Sequence, residues 1–231
     1  MSSFLAQQLR EVLEEIDLAR RQAAITYPVK LIAVSKTFPS QAVLEAYTAG
    51  QLFFGENKVQ EGSDKIQTIN NPDLEWHLIG HLQSNKAAKA VELFDVIHSV
   101  DSLKLAQKIS AKALSLGKTQ KILFQINTSL EDSKSGLTPD LGPIADILGA
   151  SLELPALDIQ GLMTIGPLNG DQKAVSAAFQ TLRNLRDQLQ SQFSGLQLNE
   201  LSMGMSGDFA LAIREGATMV RVGSRIFGGR A

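Results

Sequence analysis

Cysteine is absent from the 231 residues, which excludes a disulfide framework, a thiolate metal site and a thiol nucleophile. Neither sign of charge dominates. The 22 Lys and Arg stand against 24 Asp and Glu, a formal charge of −2, with none of the basic clustering that neutralises nucleic-acid phosphates. No apolar run approaches the ~20 residues of a membrane span. The opening segment, MSSFLAQQLREVLEEIDLARR, puts Glu11, Glu14, Glu15 and Asp17 where an export signal needs an apolar core. Histidine is scarce, and His77, His81 and His98 lack HExxH or comparable zinc-binding spacing. No GxSxG elbow or Walker A loop is present. Linkers rich in Pro, Gly or Ser, low-complexity tracts and repeats are also missing. These absences leave a soluble, cytoplasmic chain read as a single domain over residues 1–231, with neither nucleic acid nor membrane as partner.

What is present is order of two periods. Leu5, Leu9, Val12 and Ile16 recur at helical spacing, which predicts an N-terminal helix ending before Tyr27-Pro28. Short β-branched or aromatic runs then predict strands near 30–35, 51–54, 75–79, 95–98, 121–126, 157–161, 198–202 and 218–222. Amphipathic stretches fill the intervals, the one after Asn57 weakened by Gly62. Strand–helix alternation of this kind means a parallel sheet with helical crossovers. Eight units in this length predict an α/β fold, a modified (β/α)8 TIM barrel with an extra N-terminal helix. The first βα turn, SKTFPS, lacks the GxGxxG of a dinucleotide fold.

In such a barrel the site forms where strands end. Lys36 ends the run LIAVS, and poor solvation there favours a neutral amine able to attack a carbonyl and form a Schiff base. The competing reading is a solvated lysine that merely opens a loop. After the seventh and eighth strands come Met203-Gly204-Met205-Ser206-Gly207-Asp208 and Arg221-Val222-Gly223-Ser224-Arg225. Small residues at helix starts in these two loops favour a phosphate site over ordinary capping by Ser206 or Asp208. In TMVRV, valines packed against helices would turn the Arg221 guanidinium into the barrel, where it needs an acceptor: a carboxylate, a ligand ring nitrogen or a phosphate. Asn57, in FFGENK, either contacts a ligand or caps the next helix. His77 reads as a satisfied core histidine, and His81 and Lys134 lie in polar βα loops.

A lysine that traps aldehydes beside a two-loop phosphate cup suggests pyridoxal 5′-phosphate (PLP). The segments LIAVSKTFPSQAVLEAYTAGQLFFGENKVQE, WHLIGHLQSNK, INTSLEDSKSG, GLMTIGP and LSMGMSGDFALAIREGATMVRVGSRIFG resemble, in order and over nearly the whole chain, the pyridoxal phosphate homeostasis protein family. The resemblance implies the barrel of alanine racemase, the fold-type III class, with PLP held as an internal aldimine on Lys36. It further implies that Asn57 contacts the cofactor and that Ser206 and Gly207 hold its phosphate with Gly223 and Ser224. Met203 would lie near the pocket, and Arg221 would approach the pyridine nitrogen. The family's role is vitamin B6 supply and amino-acid and keto-acid balance, with apo-PLP enzymes as candidate recipients.

The residues themselves also weigh against catalysis. Racemisation needs acid/base groups on both faces of the substrate, and alanine racemase takes its tyrosine from a second domain. This chain ends at Ala231 and has only Tyr27, beside a proline, and Tyr47, in a helical pattern. A non-catalytic, monomeric PLP carrier is therefore expected ahead of a PLP-dependent racemase. A Schiff-base aldolase acting on a sugar phosphate is a third reading, and it predicts no bound chromophore.

Overall fold

A computed structural model describes residues 3–229. Eight parallel strands close on themselves in sequence order: β1 (Lys30–Val34), β2 (Phe53–Glu56), β3 (Glu75–Leu78), β4 (Val96–Val100), β5 (Gln120–Gln125), β6 (Leu157–Met163), β7 (Glu200–Ser202) and β8 (Met219–Val222). The expected barrel is therefore observed, strand by strand.

Ahead of it runs α1 (Phe4–Gln22), capped by Ser3, whose hydroxyl accepts from the Ala6 N–H. Its buried face is Leu5, Leu9, Val12, Ile16 and Ala19, the stripe the period predicted. The crossovers are α2 (Ser40–Thr48), α3 (Val59–Ile69), α4 (Ala87–Leu93), α5 (Leu103–Ser115), α6 (Leu141–Leu152), α7 (Gln172–Gln192) and the short α8 (Phe209–Arg214), and α9 (Ser224–Phe227) follows β8. Among the described residues, no helix is long and apolar enough to cross a membrane.

Period-two alternation sorts the strand residues between two cores. Leu31, Ala33, Phe54, Trp76, Leu78, Ile97, Phe124, Val220 and Val222 join the helices' Val43, Ala90, Ile109 and Phe179 in one large cluster outside the barrel. Val96, Leu123 and Met163 form a small separate cluster within it. The rest of the interior is unusually polar, with His77, His98, Ser202 and Arg221 all buried.

Strand ends shift by up to two residues from the sequence reading, and three local features bear on the site's framework. The second strand starts two residues later than expected and runs on to Glu56 through inward-facing Gly55, where a Cβ would lie 2.9 Å from Ile32 Cγ2. Gly62 does not break α3; it lets the helix close on Phe94, whose Cζ would be 2.5 Å from a Cβ at that position. Helix α6 fills an interval whose amphipathic pattern is weak in the sequence. Its glycines dilute the pattern, yet Asp140 caps it, and Pro143 falls in the first turn, where a missing N–H costs no intrahelical bond.

Candidate functional site

Loops at the strands' carboxyl ends enclose a cavity of about 530 Å³, within the range for small-molecule sites. Lys36, Asn57, Ser206, Gly207, Arg221, Gly223 and Ser224 all line it. Thus seven of the eight expected positions come together, although they lie as far apart in sequence as β1 and β8. Met203 does not line it. Its side chain is fully buried in the outer hydrophobic core, and Met205, 38% exposed, lines the cavity two residues on.

Lys36 sits in the turn two residues beyond β1, and the next residue, Thr37, takes a left-handed φ of 68°, a conformation disfavoured for a β-branched residue. A buried ionic cluster holds this turn. Lys65, on α3, donates to the Ser35 carbonyl at 2.6 Å and to Glu56 Oε1 at 2.7 Å. Ser35 Oγ donates to the same Glu56 oxygen at 2.6 Å, and Glu61 accepts from the Thr37 N–H and, at 3.1 Å, from Lys65. Burial pushes the Glu56 carboxyl up, against the pull of Lys65 and Ser35. Sequence reasoning missed this brace. Its one signal was a lysine on the apolar face of α3, four residues after Glu61.

Asn57 lies just past β2. Lys58, not Asn57, occupies the N-cap of α3, and no side chain caps that helix, so the capping reading falls away. The Asn57 backbone carbonyl sits against Gly80, where a Cβ would come within 2.2 Å of that oxygen. Only glycine permits the approach.

The β7 and β8 loops also meet. Ser206 Oγ accepts from the Gly223 N–H at 3.4 Å, bridging the two loops. Asp208 occupies the N-cap of α8 but makes no side-chain cap; its Oδ1 instead accepts from the Met205 N–H at 2.5 Å. Neither residue caps a helix through its side chain.

Arg221 enters the barrel as the valine alternation required. It donates from Nη1 to Ser202 Oγ at 2.7 Å and from Nη2 to the Thr164 carbonyl at 2.8 Å. Both acceptors are neutral, and among the described residues no carboxylate pairs with it. Burial pulls the guanidinium down to about 10, with Asp208 opposing. It therefore stays cationic at neutral pH, and the wall it lines favours an anion or a hydrogen-bond acceptor.

The lining also includes His81, Gln125, Lys134 and Ile165. Lys134 donates to the Gly166 carbonyl at 2.6 Å and pairs with Glu131. Neither tyrosine reaches this cavity. Tyr27 donates to the Gly216 carbonyl at 3.2 Å and lines a separate groove with Lys30 and Phe53 at the barrel's other end, while Tyr47 donates to Asp73 at 2.9 Å.

Comparison with known proteins agrees with this architecture. Residues 8–231 match the family described as alanine racemase, N-terminal domain. The pyridoxal phosphate homeostasis protein of Vibrio alginolyticus is 42% identical over 99% of this chain and 98% of its own. That of Escherichia coli K12 is 39% identical over 98% and 97%. Among solved structures, PipY of Synechococcus elongatus with PLP bound superposes with a TM-score of 0.84 at 42% identity, covering 97% of this chain and all of PipY. Alanine racemase of Clostridium difficile shares the fold alone, with a TM-score of 0.76 at 18% identity over 97% of this chain and 56% of the racemase. By full-length identity and by fold, the chain belongs to the pyridoxal phosphate homeostasis protein family.

Proposed function

We propose that this protein binds PLP reversibly in the cavity at the carboxyl ends of the strands and serves intracellular PLP homeostasis, and with it amino-acid and keto-acid balance, without catalysing turnover. The supporting observation is the convergence of a primary amine, a bridged pair of serine–glycine loops and a cationic guanidinium on one cavity. The lining fits the group chemically. The loops offer hydroxyl and main-chain N–H donors to a phosphate, and Arg221, without a carboxylate partner among the described residues, suits a ring nitrogen acceptor.

When bound, the cofactor supplies an aldehyde carbon and a phosphate dianion. Lys36 would supply the amine for that aldehyde. Ser206, Gly207, Gly223 and Ser224 would hold the phosphate, Arg221 would donate toward the ring nitrogen, and Asn57 would orient the ring. Non-catalysis is supported by the tyrosines. Both bond elsewhere, so neither supplies the second acid/base of a racemase. The protein acts as a monomeric, single-domain cytoplasmic carrier, with apo-PLP enzymes as recipients.

The test is the absorption spectrum of apoprotein titrated with PLP, followed by borohydride reduction and peptide mapping. The expected result is a yellow complex whose label maps to Lys36. Lys36→Ala is expected to lose that absorption yet retain PLP noncovalently. A Lys36→Ala spectrum identical to wild type would move the anchor to another lysine. Turnover of single-enantiomer amino acids above free PLP, abolished in Lys36→Ala, would replace the carrier reading with a racemase. A protein that binds no PLP would exclude both.

A further inference from the structure

The barrel interior contains a continuous polar line that the binding of a cofactor does not by itself require. From the cavity inward, Arg221 Nη1 donates to Ser202 Oγ at 2.7 Å. Ser202 Oγ lies 3.0 Å from His98 Nδ1, and His98 Nε2 lies 2.8 Å from His77 Nδ1. His77 Nε2 ends 2.9 Å from Glu75 Oε1, close but not aligned as a hydrogen bond. Glu75 is the first residue of β3, at the opposite mouth, where Lys30 and Lys121 approach it at 3.3 and 3.9 Å. The line thus crosses the barrel from β8 through β7, β4 and β3.

Its ends dictate its direction. Arginine has donors only, and an ionised carboxylate has acceptors only. The Glu75 carboxylate favours a proton on the His77 nitrogen that faces it, Nε2, so His77 Nδ1 accepts from His98 Nε2. His98 Nδ1 then accepts from the Ser202 hydroxyl, whose oxygen accepts from Arg221. Both imidazoles are fully buried, and burial holds each below the ordinary histidine range, His98 well below it. Two neutral rings with the same tautomer satisfy the three hydrogen-bonded links and leave the His77 Nε2–H facing Glu75, so all dipoles run from the guanidinium to the carboxylate.

We infer that Ser202, His98 and His77, anchored on Glu75, are positioning residues that lock the Arg221 guanidinium in its orientation toward the cavity. Ser202 on one terminal nitrogen and the Thr164 carbonyl on the other pin the fork in its plane, leaving its remaining donors for the cavity that Arg221 lines. The inference rests on the PLP reading of that cavity, and its tests separate the two.

The first test uses the unsubstituted apoprotein. Nitrogen-15 shifts of the imidazoles at neutral pH are expected to show His77 and His98 neutral, each protonated on Nε2 alone. A proton on Nδ1 of either ring would break the direction and overturn the relay. The second measures the PLP dissociation constant and the absorption maximum of the complex. Ser202→Ala and His98→Leu are each expected to raise the constant about tenfold, the size of one lost hydrogen bond to a charged group, and to shift the maximum. His98→Gln, which can accept from Ser202 and donate to His77, is expected to return to within about twofold of wild type. If melting temperature falls in Ser202→Ala and His98→Leu while constant and maximum match wild type, the line is only structural and the inference fails. If wild type binds no PLP, the functional reading fails by that result, and the tautomers alone decide whether the relay exists.

Discussion

At the scale of single residues, the cavity's polar groups are held in place by internal hydrogen bonds, Arg221 by Ser202 and the Thr164 carbonyl and Lys134 by the Gly166 carbonyl. Ser206 spends its hydroxyl as an acceptor for the Gly223 N–H, at a long 3.4 Å, and so remains able to turn toward a phosphate. Ser206→Ala is expected to weaken PLP retention by about 1–3 kcal/mol, the worth of a hydroxyl on a charged acceptor. Equilibrium dialysis of the variant checks this, and unchanged affinity would leave Ser206 as a loop bridge only. Met203 and Met205 show how finely such assignments depend on facing. Two residues apart, one is sealed in the outer core and the other lines the cavity. The loop after β7 has no strand period to say which is which. Asn57 was equally undecidable from its neighbours, because a cap and a ligand contact call for the same amide; the N-cap at Lys58 removes the first.

At the scale of elements, α1 does more than precede the barrel. Its closest packing is against α8 and α9, which follow the β7 and β8 loops, and Arg225 of α9 pairs with Glu15 of α1, with Nη1 at 2.7 Å from Oε2. The helix therefore buttresses the elements that carry the proposed phosphate cup. Leu9, only 1% exposed, sits in the middle of its buried stripe. Leu9→Ala is expected to cost about 2–5 kcal/mol of stability, the range for truncating a buried leucine. Urea unfolding followed by circular dichroism measures this, and a loss under about 1 kcal/mol would mean α1 packs only peripherally. The same helix was the plainest in the sequence, since its stripe needs no tertiary information. Helix α6 was harder to delimit for the opposite reason: its start rests on a cap and a first-turn proline rather than on amphipathic contrast.

At the scale of the whole molecule, ionic clusters lie near both ends of the strands, Lys65 with Glu56 and Glu61 between β2 and α3 beside the Lys36 turn, and Glu75 at the far mouth. Contact with His77, helped by Lys30 and Lys121, holds the Glu75 carboxyl down to about 2 from 4.5. An acid whose folded value is depressed binds its proton more readily when unfolded. Its contribution is present in full above about pH 4.5 and is lost as pH falls toward 2. Glu75→Gln should therefore flatten the acid limb of melting temperature against pH and leave its slope above pH 5 unchanged. An unaltered acid limb would assign acid unfolding to other carboxylates.

The sequence by itself determined the strand–helix alternation, the closed barrel, the helix that precedes it and the end at which a site forms. These follow from local period and from the rule that parallel strands need crossovers, and both can be read along one chain. Only the tertiary structure decided that His77 meets His98, that Ser202 receives Arg221, and that Lys65 braces the turn of Lys36. Each contact joins residues whose separation carries no period. Which inward side chains touch is set by the stagger of strands around the closed sheet and by irregular steps such as that between Ile97 and Val100. That stagger is a property of eight strands together, so no single segment encodes it.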